Sequence, residues 1–143
     1  MYKISTDIYN SIKNSNIIIN ELGIEKSKEI FKSIQKNYIN MEKENNLWLW
    51  EKFNDYEFIK NSNGWTYIQN FVSNSKCIIF FNQDEETKMF SINNGKDLHY
   101  ILSETCGYEF YITDEECTYL ICFNHHDILY GCGNAIEWIE TLK

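Results

Sequence analysis

Asn124-His125-His126-Asp127 is the densest run of chemically capable side chains in the sequence. Imidazole and carboxylate together suit metal binding or acid–base work, because histidine titrates near neutrality and ligates when neutral. Adjacent histidines on a strand point to opposite faces, so one ion could take both only if a turn gathers them. His99, on a predicted helix, is the remaining imidazole. Neither HExxH nor HxH spacing occurs, and the plainer reading is a polar hairpin turn with hydrogen-bonded histidines. Cys122 lies just upstream, but a nucleophilic thiol needs an adjacent base and exposure, whereas a mid-strand cysteine faces the core. No glycine-rich phosphate loop and no GxSxG is present, so no cofactor is expected.

Two acidic runs form the other candidate surface: Asp84-Glu85-Glu86 and Asp114-Glu115-Glu116, each at a predicted hairpin tip. If both tips lie at one end of the sheet they make a single negative patch, which would steer a basic partner into contact. Otherwise they are ordinary solvated turns. The net charge of -8 and the absence of any arginine argue against direct nucleic-acid binding, which needs clustered positive charge. The lysines gather at 26, 28, 32 and 36, mixed with Glu25 and Glu29, as on a solvated helix face. Trp48 and Trp50, two apart, read either as core anchors of a strand or as an exposed aromatic platform.

The elements that must position these groups follow from periodicity. Residues 108–133 read as three antiparallel strands. Tyr108, Phe110 and Ile112 share one face of the first, with Glu109, Tyr111 and Thr113 on the other. The second, around 119–123, is apolar on both faces and therefore central. The third ends in Gly131-Cys132-Gly133, a sign of a bulge or of a close backbone approach. Upstream, a helix capped near Ser5-Thr6-Asp7 carries Ile4, Ile8 and Ile12. A second over 25–41 carries the stripe Ile24, Phe31, Ile34, Tyr38, Met41. Asn45-Asn46 breaks the pattern, Leu47 to Trp50 reads as a strand, and 51–63 has no assignable period. A short helix near Trp65 to Val72 precedes a buried strand at 77–81, whose hairpin partner is 88–92. A helix through Leu98 to Leu102 closes at Cys106-Gly107, and Asn134 with Glu137 resembles a capping box for the last helix.

The order ααβαββαβββα favours hairpins over βαβ repeats. It predicts one α+β domain, 1–143, with a mostly antiparallel sheet of five or six strands and helices packed on it. The five cysteines include no CxxC pair and fit no zinc module, so buried reduced thiols are expected. No apolar run reaches the roughly 20 residues of a membrane span, no signal peptide is visible, and the expected location is cytoplasmic.

Residues 76–133 resemble a pattern in small bacterial proteins of unknown function. In these an aromatic strand ends in an acidic turn, a second strand runs into Asn-His-His-Asp, and a Gly-containing strand follows. Compact acidic α+β proteins of this kind are also similar to immunity proteins that neutralise toxins of bacterial competition. The resemblance implies no catalytic residues. It implies a non-enzymatic protein that occludes a basic toxin domain through its acidic tips, with Trp or Tyr side chains as anchors. The alternatives are a metal-dependent enzyme built on His125, His126 and Asp127, and a self-associating module in which apolar strands form a dimer seam.

Overall fold

A computed structural model describes residues 3–44, 47–105 and 107–143. The expected three-strand unit forms β5 (Phe110–Thr113), β6 (Tyr119–Phe123) and β7 (Ile128–Gly133), with Ile112 opposite Ile121 and Cys122 opposite Tyr130. Upstream lie β1 (Ile19–Glu21), β2 (Glu57–Lys60), β3 (Cys77–Phe80) and β4 (Phe90–Ile92). All seven join one antiparallel sheet in the order β1-β4-β3-β5-β6-β7-β2. The α+β architecture is as expected, and the sheet has seven strands where five or six were predicted. The additions are the two short edges. β1 begins at Ile19, the last of three successive isoleucines, and β2 lies inside the segment that showed no period.

Alternation on the central strands divides the core into two. Ile79, Phe90, Ile112 and Ile121 face helices α1 (Ile4–Ser11), α3 (Ile68–Val72), α4 (Asp97–Ser103) and α5 (Ile136–Thr141). Phe80, Tyr111, Leu120 and Cys122 face α2 (Ile24–Tyr38), which contributes Ile30 and Ile34. Both faces of the central strands are therefore removed from water, which is why all four residues of β3 are buried rather than every second one. Gly131 on β7 bears the predicted close approach. A Cβ there would sit 2.6 Å from Ile139 Cγ1 and 2.8 Å from the Ala135 carbonyl, so α5 packs directly on strand backbone.

Several local expectations differ from what folds. Leu47 to Trp50 is not a strand: a 3₁₀ turn spans Leu49–Lys52, closed by Glu51 N–H on the Trp48 carbonyl at 3.0 Å. Ile24 and Met41 of the α2 stripe are exposed, because the helix starts at the first and ends at Tyr38 before the second. Helix α1 begins at Ile4, so Ser5-Thr6-Asp7 lie inside it, and α5 starts after Ala135 without a side-chain cap from Asn134. The expected breaks at Asn45-Asn46 and at Cys106 lie outside the described residues.

Candidate functional site

Strand direction decides which turns can cooperate. β4 and β5 both pair antiparallel with β3, on opposite sides of it, so they run parallel to each other with α4 as the crossover. The Asp84–Glu86 turn precedes β4, and the Asp114–Glu116 turn follows β5. The two acidic runs therefore lie at opposite ends of the sheet and do not form one patch. The 114–116 run is also partly engaged. Asp114 accepts the Thr118 N–H at 2.8 Å and bonds the Thr118 hydroxyl, and Glu115 lies 3.9 Å from Lys26 Nζ. At the other tip Glu86 accepts N–H groups from Ser5 at 3.0 Å and Lys88 at 3.1 Å. Burial pushes its carboxyl upward, but these bonds outweigh burial and hold it below the usual carboxylate range.

What the Asp84–Glu86 turn meets instead is Asn124–Asp127, and between them sits Glu109. Its side chain is 3% exposed and accepts four N–H groups. Trp50 Nε1 lies 3.0 Å and the His125 backbone N 3.1 Å from Oε1, and Asn82 Nδ2 lies 2.8 Å from Oε2. His125 Nδ1 lies 2.5 Å from Oε1. Asn82 in turn gives its amide to Glu85 at 3.0 Å and accepts the Tyr111 hydroxyl at 3.2 Å. The network satisfies a buried carboxylate from three other segments of chain, which is the condition under which such burial is tolerated.

The Asn124–Asp127 turn is built by Asn124, whose Oδ1 accepts the backbone N–H of His126 and of Ile128, each at 3.0 Å. Asp127 completes it in the left-handed region at φ 59. The turn does bring the two imidazoles together, with ring centroids 4.1 Å apart. Only His125 reaches the network. Its Nδ1 faces Glu109, so in the neutral ring that nitrogen is the one assigned the proton. His126 and Asp127 are exposed beside it. Among the described residues no three His, Cys, Asp or Glu side chains are grouped so as to hold a metal ion, and His99 instead stacks on Trp65 at 5.1 Å. Cys122 is fully buried, and burial pushes its thiol well up, which opposes the thiolate a nucleophile needs.

The segment around the 3₁₀ turn lays a strip of rings along the α2 face of the sheet, toward the β2 edge. Trp48 and Trp50 pack on His125 with centroids 5.5 and 6.1 Å away. Trp50 then stacks on Tyr130 at 5.7 Å, and Tyr130 contacts Phe53, Tyr56 and Phe58. Trp48, Tyr56 and Phe58 are 40%, 42% and 47% exposed. Trp48 of the tryptophan pair is thus exposed, whereas Trp50 is half-buried against the core and tied to the Glu109 network. Two clefts flank it. One of about 500 Å³ is lined by Trp48, Phe81, Asn82 and Asp84; the other, of about 350 Å³, by Trp65, Phe110, Phe123, Asn124 and His125.

Comparison with known families matches residues 2–143 to a family of unknown function, DUF6756. The chain belongs to that family. No curated protein and no solved structure gives a match. Among the described residues no helix is long and apolar enough to cross a membrane. Glu109, the centre of this family member's network, carries no sequence signal of its own: its partners lie 16, 27 and 59 residues away.

Proposed function

We propose that this DUF6756 protein is a non-enzymatic, cytoplasmic protein-binding protein of the immunity type, which occludes a basic toxin domain. The observation that carries the reading is the aromatic strip. Three large rings that a monomer would otherwise bury stand exposed in one continuous row, on a base fixed by Glu109. Exposed, pre-ordered Trp and Tyr side chains are the usual anchors of protein interfaces. Charge complementarity selects the partner. Exposed Asp55, Asp84, Glu85 and Asp127 and half-buried Glu51 lie on the segments that carry or border the strip, with Lys52 as a local counter-charge. A cationic surface gains from that rim through faster association, and its arginines can stack on the rings. Within the acidic set, Asp84 and Glu85 join this surface. Asp114, Glu115 and Glu116 remain available only to a partner that wraps to the far end.

The test is binding to the basic product of the neighbouring gene. Trp48→Ala with Phe58→Ala should weaken the complex by more than about 30-fold, the scale of an anchor pair. Affinity should also fall as salt is raised from 50 to 500 mM, on the order of tenfold. Affinity indifferent to both would remove the proposal.

A further inference from the structure

The cleft on the opposite side of His125 from the strip contains a buried donor with nothing to bond. Asn124 is 3% exposed. Its Oδ1 is fixed by two backbone N–H groups, and the flipped amide would set NH₂ against both of them, so its orientation is determined. That leaves Nδ2 buried and without a hydrogen-bond partner, at a residue that lines the cleft. An unpaired buried amide is disfavoured, and an acceptor bonded to it removes that penalty.

We infer that this cleft binds a neutral planar heterocycle of the nucleobase class, as the free base or nucleoside. Four further features select that chemistry. His125 lines the same cleft next to Asn124 in sequence, and in the neutral ring with Nδ1 held by Glu109 its Nε2 is an acceptor. Every nucleobase carries an acceptor beside a donor on its pairing edge, the complement of that pair. The walls are aromatic: Trp65, braced from behind by His99, together with Phe110 and Phe123. Such rings stack on a flat heterocycle. The volume, about 350 Å³, lies at the small end of ligand sites. The lining includes Asp127 and no lysine, which disfavours a phosphate and so separates nucleoside from nucleotide. The cleft shares His125 and Asp127 with the border of the docking strip, but its stacking walls, Trp65, Phe110 and Phe123, are separate from the strip's rings.

The experiment is titration of the purified protein with adenosine, guanosine, cytidine and uridine and with their monophosphates, followed by tryptophan fluorescence and thermal shift. At least one nucleoside should bind saturably and raise the melting temperature, with its monophosphate at least tenfold weaker. Asn124→Asp keeps the turn-forming oxygen and removes the donor, and should weaken binding at least tenfold. Should that variant fold poorly, Ser62→Trp, at an exposed position on the rim, blocks the cleft from outside the core and should abolish binding. The inference is overturned if no nucleoside binds at millimolar concentration, which would leave Asn124 served by water. It is equally overturned if binding survives in folded Asn124→Asp or Ser62→Trp. Neither result bears on capture of a protein partner.

Discussion

Glu109 sits almost wholly out of water, and the four N–H groups around it make that position tolerable. The dependence runs in both directions. Replacing it with alanine would strand Trp50 Nε1, one of the two Asn82 amide N–H groups and the His125 backbone N–H together, each disfavoured when buried and unpaired. Glu109→Ala should therefore lower stability by about 3 kcal/mol or more. It should also release Trp50, read as a red shift of tryptophan emission in the folded protein. Urea titration with fluorescence checks both. An unshifted spectrum with native stability would show the network to be incidental. The sequence placed the cluster it could see, Asn124 to Asp127, and missed its centre. A lone Glu alternating with Tyr111 and Thr113 has the pattern of a solvent-facing strand position. What buries it is Asn82 from another hairpin and Trp50 from a distant turn, and no local period encodes that contact. For the Trp48–Trp50 pair both core anchor and exposed platform were open, and the structure divides them, Trp48 exposed and Trp50 half-buried; their place in this site was not legible, because the backbone was read as extended.

At the level of elements, the periodic signal was strong where an element is buried on a definite face and weak where it is short or at an edge. The strands from 110 to 133 and helices α2 and α4 follow from apolar spacing. β2 has only four residues, Glu57–Lys60, alternately half-buried and exposed at an edge, and its neighbours carry no glycine or proline boundary on its N-terminal side. The run Leu47 to Trp50, which leads into the 3₁₀ turn at Leu49–Lys52, looks like a strand because four apolar residues fit either form. Gly131 belongs to this scale, since it holds two elements at contact distance. A methyl group there meets Ile139 Cγ1 at 2.6 Å and the Ala135 carbonyl at 2.8 Å, and strand backbone cannot move aside as a side-chain tip can. Gly131→Ala should cost about 1–3 kcal/mol by overpacking. Amide exchange should accelerate along α5 and β2, both packed through this point, more than along β3. Gly131→Ala with unchanged exchange in α5 would mean the helix is held elsewhere. The docking strip lies on the other face of β7, so partner binding by that variant should survive.

For the molecule as a whole, sequence could not say which turns share an end, because that depends on the crossover through α4 that sets β5 parallel to β4. One whole-molecule property does follow from composition once the fold is known. The cysteines Cys77, Cys117, Cys122 and Cys132 are all buried and unbridged. Burial pushes the thiols of Cys77 and Cys132 from 9.0 up to about 12, and those of Cys117 and Cys122 also upward. In the same way Tyr130, buried among its ring partners, rises from 10.0 to about 12. Each of these groups holds its proton more tightly folded than unfolded. Its contribution to stability is thus fully present below the unfolded value and is lost as pH rises through the folded one. The loss falls between pH 9 and 12 for the thiols and between 10 and 12 for Tyr130. Above pH 9 each thiol ionised only in the unfolded chain removes about 1.4 kcal/mol per pH unit. With several acting together, the urea midpoint measured under reductant should be flat from pH 7 to 8 as far as these groups decide it, then fall steeply above 9. Cys132→Ala should lower the midpoint at pH 7 by opening a small cavity, yet lessen the fall from pH 9 to 10.5. A midpoint that holds level to pH 10.5 would mean that these thiols ionise in place, and so that the two halves of the core admit water where the packing of β6 and β7 says they do not.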